Sequence, residues 1–390
     1  MKKCLACNGK LNFFVNLGKH TYSNQFKKIL KHTPFFNYTV LFCNKCFLIQ
    51  LKNRPKLKYL RSKNFNLKIL EPENHLDNFV SKIIGLKFLK KDSNILGLSY
   101  KDKSIIEKIK KKGFQKSNII SNKDYKISNK YGVETIQNVF LTKKKIDKVK
   151  KFDLIVSRHL LEHSFKPYKL LKLIKKFLTK DGLIAIEVPC RDKMIKGLDL
   201  HYFWEHHITY FNLEVLKSFL KIMNFKVLVS TKYKQSSEDN IVIIAKKDQK
   251  LKTDNKNKIQ NYPKNFLHKF KSDIRKKKVK VKNYFVKIKK KETKITLLGA
   301  GHLGIKFMNF YNLHNYFDQI VDDNKKIYDL VLPNTKCKIT NSRNMKKDGI
   351  FFSSLNHESQ IKFKKKHKFL EKKVKIFSIS SYGNNPAPFN

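Results

Sequence analysis

"FDLIVSRHLLEHSFKPYKLLKLIKKFLTKDGLIAIEVPC", residues 152–190, alternates between two kinds of sequence. "FDLIVS" and "GLIAIEVP" are apolar runs of strand length, and "PYKLLKLIKKFL" between them repeats its apolar residues at helical spacing. Strand, helix, strand in that order is a βαβ unit, and it commits the surrounding chain to a parallel sheet covered by helices. A plain crossover needs no charged cluster. Yet Arg158, His159, Glu162 and His163 follow the first strand directly. Open α/β sheets bind ligands at the carboxyl ends of their strands, where Ser157, Arg158 and His159 fall.

The same alternation extends to both sides. "SNILGLS" reads as a strand, "KSIIEKIKKKG" as a helix closed by Gly113, and "SNIIS" as a further strand. Downstream, "FKVLVSTKY" and "DNIVIIAKK" follow one another without a helix between them, which suits an antiparallel edge. Residues 247–292 are Lys-rich, with Phe266, Phe270, Ile274, Val281, Tyr284 and Phe285 at broadly helical spacing. "KITLLGAGHLGIKFMNFY" then opens a second α/β unit of strand, glycine turn and helix. The tail, "YGNNPAPFN", is expected to be loose.

Four of the six cysteines form two CxxC pairs, Cys4 with Cys7 and Cys43 with Cys46. No targeting segment is visible, and no apolar run approaches the roughly 18–20 residues that span a bilayer. The expectation is a cytoplasmic chain with reduced thiols, and four thiolates from paired CxxC turns point to a tetrahedral, structural zinc site. The 35 residues between the pairs require an inserted hairpin or loop, in which His20 and His32 are weaker ligand candidates.

The formal net charge is +56, but only six of the 86 basic residues are Arg. Lys acts as a point charge where nucleic-acid readout favours the planar Arg fork, and here the lysines spread along the whole chain. We therefore expect no specific nucleic-acid partner. An acidic small substrate such as a nucleotide-sugar diphosphate is attracted by such a field.

Together these pieces resemble a family. A four-cysteine N-terminal module, a middle domain with "FDLIVSRHLLEH…LTKDGLIAIEVP" and a C-terminal glycine-turn domain are similar to the three-domain S-adenosylmethionine (SAM)-dependent sugar C-methyltransferases. "FWEHHITYFN", Phe203 to Asn212, resembles that family's Glu-His-x-x-Tyr-Phe signature, and "VDDNKKI…LPNTKCKI" its C-terminal motif. The resemblance implies an α/β fold with a class I methyltransferase, Rossmann-like sheet. A small four-Cys zinc module (1–60) precedes the methyltransferase domain (61–246). A helical Lys-rich connector (247–292), a second Rossmann-like domain (293–383) and the loose tail (384–390) follow.

It also implies roles. Cys4, Cys7, Cys43 and Cys46 hold structural zinc. SAM lies against the turn after the first sheet strand and the loop after "FDLIVS", so Gly97, Ser99, Asp102, Asp124, Ser157, Arg158 and His159 are the cofactor-binding candidates. The first turn departs from the family pattern: Gly97 stands in place of an acid, and Ser99 and Lys103 in place of glycines. A nucleotide-linked keto-deoxysugar is the implied substrate, in surface-polysaccharide or deoxysugar biosynthesis. The catalytic candidates are His207 and His206, with Glu205 as orienter and Tyr210 packing or donating a hydrogen bond. The register is ambiguous between the two histidines: "WEH" selects His206, and counting back from Tyr210 and Phe211 selects His207. Gly299, Gly301, Asp322 and Asn324 are the substrate-binding candidates of the second glycine turn. Two alternatives stand beside this reading: O- or N-methylation of a sugar, and a methyltransferase-like scaffold with a degraded SAM site.

Overall fold

The computed structural model describes residues 3–23, 25–28, 33–60, 73–120, 151–248, 265–291, 293–332, 334–368, 370 and 373–390. Among them lie three sheets. The first is antiparallel: β1 (Leu11–Thr21), β2 (Phe35–Cys43) and β3 (Ile49–Leu51), closed at its edge by the two-residue β8 (Thr209–Tyr210). β8 comes from the middle of the chain, so the N-terminal module and the middle domain share one sheet.

The central sheet has the order β5-β4-β6-β7-β10-β9. Its strands are β4 (Ile95–Gly97), β5 (Ser117–Ile119), β6 (Phe152–Arg158), β7 (Leu178–Cys190), β9 (Phe225–Tyr233) and β10 (Asp239–Lys247). β5, β4, β6 and β7 run parallel. The apolar runs of β6 and β7 are buried from Leu154 to Arg158 and from Gly182 to Val188 because helices cover both faces of a parallel sheet. As expected from the lack of a helix between them, β9 and β10 pair antiparallel at one edge of the sheet, and β10 is also antiparallel to β7.

The third sheet is built from β11 (Ile295–Leu298), β12 (Gln319–Val321), β13 (Ile339–Thr340), β14 (Ile350–Ser353) and β15 (Lys375–Ser378), and is wholly parallel in the order β13-β12-β11-β14-β15. A helix, Phe266–Lys290, leads into it. Its buried stripe of Phe270, Ile274, Val281, Phe285 and Ile288 recurs at intervals of three, four and seven residues, as one helix face requires. Lys277 lies in that stripe and is also buried: its ammonium reaches Asp199 at 3.2 Å and Ser381 Oγ at 2.9 Å. The connector is therefore bound to both flanking domains.

The tail differs from expectation. Phe389 and Ala387 are each 2 % exposed, and the Phe389 ring packs against Phe285, Phe307 and Phe352. The buried ring acts together with backbone hydrogen bonds that tie the tail to β15, Ser378 N to the Asn385 carbonyl at 2.8 Å and Ala387 N to the Ser378 carbonyl at 3.0 Å. Asp124, and the "YGVETIQ" segment, lie outside the described residues.

Candidate functional site

The carboxyl edge of the central sheet carries a buried ion-pair network. Arg158 ends β6, and its side chain is 1 % exposed. Its Nε donates to Glu187 Oε2 at 2.6 Å, and its Nη1 donates to Glu73 Oε1 at 3.0 Å and to the Lys101 carbonyl at 2.8 Å. Glu187, near the end of β7, also meets His75 Nε2 at 3.0 Å and His159 Nε2 at 3.1 Å. Burial alone would raise the Glu187 carboxyl; Arg158, then His159 and His75, hold it well below the ordinary range. Arg158 Nη2 is buried with no hydrogen-bond partner among the described residues. His159 takes the left-handed conformation, φ 46°, which turns the chain out of the strand.

The turn after β4 is closed by its own side chains. Asp102 Oδ2 accepts from Ser99 N at 2.8 Å, and Ser99 Oγ accepts from Lys101 N at 3.2 Å, a reciprocal cap on the short helical turn. Asp102 Oδ1 accepts from Arg158 N at 2.8 Å and so ties the β4 turn to the end of β6. Complete burial pushes the Asp102 carboxyl up to about 7 against these donors. A Cβ on Gly97 would lie 2.8 Å from Asp102 Cβ, so the glycine makes room for that carboxylate. Gly97, Ser99, Asp102, Ser157, Arg158 and His159 thus lie together on one sheet edge.

The segment 203–210 meets this edge from above. Glu205 is fully buried, and its carboxylate is surrounded by donors from three parts of the chain. Ser23 N donates at 2.6 Å and Ser23 Oγ at 3.2 Å from the N-terminal module, as does Tyr38 Oη. Lys306 Nζ, from the C-terminal domain, lies 2.8 Å away. Burial would raise the Glu205 carboxyl, but Lys306, then His206 and the Ser23 N–H, hold it down to about 2. Lys306 is shifted down by its own burial. The pair therefore gains its stability on the carboxylate side, where the further donors are. Tyr210 both packs and bonds: its hydroxyl accepts from Trp204 N at 3.0 Å and donates to Trp204 O at 3.2 Å.

The two candidate histidines face different neighbours. His206 stacks on the Trp204 indole at 4.2 Å between ring centres, and His302, from the C-terminal glycine turn, stacks on the same indole at 4.1 Å. His207 is partly exposed, and its ring lies 4.6 Å from that of His163. Burial, then His163, His302, His206 and His159, hold His207 well below the ordinary imidazole value, so it is neutral near pH 7. The imidazole pair thus lies between the carboxyl edge of the central sheet and the glycine turn of the third.

In that third-sheet turn, Gly299 has φ +91°, and a Cβ there would meet Ser354 Oγ at 2.7 Å. Gly304 lets its helix approach the Gly299 carbonyl, which a Cβ would meet at 2.8 Å. Both are needed for packing, whereas Gly301 faces open space. Asp322 accepts from Ala300 N at 2.8 Å and from Asn324 N at 2.9 Å, and Asn324 caps the next turn through Lys326 N. These carboxylate and amide groups brace the loops.

The four cysteines converge. Their Sγ atoms all lie within 4.8 Å of one another, with Cys4–Cys46 and Cys7–Cys43 each at 3.4 Å. Asn8 and Phe47, one residue after each pair, share φ 59°, so the two turns are copies of one knuckle. His20 is elsewhere, its Nε2 2.6 Å from the Leu17 carbonyl; His32 lies outside the described residues.

Two family models match in succession: a methyltransferase domain over residues 57–230 and the C-methyltransferase C-terminal domain over residues 226–377. The chain carries a methyltransferase domain followed by a C-methyltransferase C-terminal domain, the pair expected from the resemblance. It is a SAM-dependent methyltransferase. Among solved structures it is similar to a Burkholderia thailandensis 1,6-didemethyltoxoflavin-N1-methyltransferase with bound S-adenosylhomocysteine, at 12% identity over 48% of this chain and 94% of that one, with a TM-score of 0.29. It is also similar to a SAM-dependent methyltransferase from Archaeoglobus fulgidus, at 15% identity over 44% and 94% of the two chains and a TM-score of 0.31. Coclaurine N-methyltransferase bound to N-methylheliamine and S-adenosylhomocysteine matches at 10% identity over 47% and 76%, also with a TM-score of 0.31. Likenesses of that size carry no argument about chemistry. No curated protein matches the chain. Among the described residues no helix is long and apolar enough to cross a membrane.

Several residues of the site were not singled out from the sequence. Glu187 had a signal: it is the one acid in the strand-like "GLIAIEVP". Lys306 had one too, a lone cation in the apolar "HLGIKFMNFY". Ser23, Tyr38 and Glu73 had none, because their roles depend on partners 85 to 182 residues away.

Proposed function

We propose that this methyltransferase C-methylates a nucleotide-linked keto-deoxysugar, with an imidazole of the His206–His207 pair as the base, in surface-polysaccharide or deoxysugar biosynthesis. The observation that carries the reading is the position of that pair between two sheet edges, held there by the Glu205 carboxylate through donors from the N-terminal module and the C-terminal domain. A neutral imidazole is the right group to take a proton from a carbon next to a carbonyl near neutral pH.

SAM fits the edge in one testable respect. The amino-acid end of the cofactor carries a carboxylate beside its ammonium, and Arg158 Nη2 is a buried donor lacking a hydrogen-bond partner among the described residues. Arg158 and the Asp102-braced turn would hold that end, with Ser157 and His159 beside it. When bound, SAM supplies a methyl group on a positively charged sulfur. The chain's own residues do the rest. His206 or His207 takes the proton, Trp204 and Tyr210 keep the segment rigid, and Gly301 with Asn324 borders the nucleotide side.

Zinc belongs to this reading as the structural metal. Four thiolates at tetrahedral spacing leave no position for substrate. A Cβ on Gly9 would lie 3.2 Å from Cys7 Sγ and 3.3 Å from Cys43 Sγ, so the turn is built for close approach to the sulfurs.

The test replaces His206 and His207 with Ala separately. Methyl incorporation from labelled SAM and solvent-deuterium exchange beside the sugar carbonyl are the two readouts. At least one variant is expected to lose both by roughly 100-fold or more; unchanged rates in both variants would remove the base assignment.

A further inference from the structure

Glu162 is a buried carboxylate that the chemistry above does not use. It is 2 % exposed, and neither carboxylate oxygen has a hydrogen-bond partner among the described residues. An ionised carboxylate in that condition costs several kcal/mol unless something meets it. Imidazoles surround it at distances too long for hydrogen bonds: His163 Nε2 at 3.9 Å and His159 Nδ1 at 3.7 Å from Oε1. One ligand atom each from Glu162, His163 and His207 lie within 4.8 Å of one another.

We propose that Glu162, His163 and His207 bind a divalent transition-metal ion of the zinc class, with an open coordination position on the partly exposed His207 side. Two imidazoles and one carboxylate plus an open position is the donor set of catalytic rather than structural zinc. Two ligands of one tetrahedral ion with bonds of about 2.0–2.2 Å lie roughly 3.4 Å apart. The 3.9 Å between Glu162 Oε1 and His163 Nε2 closes to that with a small side-chain adjustment.

The surroundings are arranged as a metal-binding histidine needs. His163 Nδ1 lies 2.9 Å from the His206 carbonyl. A carbonyl can only accept, so Nδ1 carries the hydrogen and the neutral ring directs its Nε2 lone pair toward Glu162. A metal-ligating imidazole commonly donates its other N–H to a carbonyl in this way. Ile208 N donates to the Glu162 carbonyl at 2.7 Å, so the two ligand-bearing segments are joined in both directions.

The role assigned to the ion rests on the methylation reading; its binding does not. On a keto substrate the ion is a Lewis acid at the carbonyl oxygen. The proton leaves the neighbouring carbon for an imidazole. The C–H pair becomes the enolate double bond, and the carbonyl π pair moves onto the metal-held oxygen. With His207 taken by the ion, His206 is the base, which resolves the ambiguity of register.

The experiment uses the full chain and Co2+ as the probe, followed by absorption and by metal content. Two equivalents per chain are expected, only one of them with thiolate-to-cobalt charge transfer. Glu162→Gln and His207→Ala are each expected to weaken the second equivalent by at least roughly 100-fold while the thiolate band, a marker of folding, persists. A wild-type chain that takes up one equivalent, or a second equivalent that both variants retain, overturns the site. SAM binding is read separately by calorimetry. Absence of turnover on keto-sugars then counts against the methylation reading, and the cobalt stoichiometry still decides the metal.

Discussion

Two clusters of metal-ligand side chains lie in this molecule, and they are built oppositely. Cys4, Cys7, Cys43 and Cys46 come from two copies of one knuckle and close on themselves with four like donors. Glu162, His163 and His207 come from two unrelated segments and offer three mixed donors with one partly exposed face. On the proposed reading, the first arrangement would make the fold depend on its ion and the second would leave a position for chemistry. The contrast teaches that local sequence can specify a closed site, whereas an open one is assembled by tertiary contacts.

The comparison breaks most visibly at the cysteines. Cys43→Ser is expected to unfold the N-terminal module, because structural zinc contributes on the order of 10 kcal/mol to small domains. Loss of both zinc content and the cooperative unfolding transition checks this. If Cys43→Ser unfolds as the wild type does, the cluster is not structural.

Next comes the anchor between the clusters. Glu205→Gln leaves Lys306 buried without its counter-charge and is expected to cost roughly 3–5 kcal/mol in chemical denaturation. Its pH dependence has a definite sign. The Glu205 carboxyl is depressed from 4.5 to about 2, so its contribution is present above pH 4.5 and fades as the pH falls toward 2. Acid unfolding in that window should be blunted in Glu205→Gln; an unaltered acid profile would assign the transition to other carboxylates.

Arg158→Lys is a smaller change. The guanidinium reaches Glu187, Glu73 and the Lys101 carbonyl at once, which an ammonium does not. SAM affinity measured by calorimetry is expected to fall 10- to 100-fold, about 1.4–2.8 kcal/mol. Equal affinity would place the cofactor's carboxylate elsewhere. Smallest of all is the stability effect of Glu162→Gln, within about 1 kcal/mol of wild type, since the amide removes a buried charge lacking a hydrogen bond. A loss as large as that of a cysteine variant would make the open cluster structural and erase the contrast.

The parts legible in the sequence were those encoded by short-range pattern. The β6–helix–β7 unit, the second glycine-turn unit and the paired knuckles each follow from spacings within one stretch of chain. The Phe266–Lys290 helix was readable from its apolar stripe, although Lys277 within it proved to be a buried tie and not part of a solvated face. The tail was misread because "YGNNPAPFN" has turn composition, and only the Phe285–Phe307–Phe352 surface gives Phe389 somewhere to go. In the β4 turn, the missing glycines were visible, but not that Ser99 and Asp102 would cap each other.

By itself, the amino-acid sequence determined a parallel α/β core, a four-thiolate knuckle pair and a family resemblance carried by "FWEHHITYF". Hydrophobic periodicity and ligand spacing are local, and each stretch holds its own information. Only the tertiary structure decided what Glu205, Lys306, Arg158 and Glu162 do. A buried charge takes its role from whichever group meets it, and those groups arrive from distant parts of the chain.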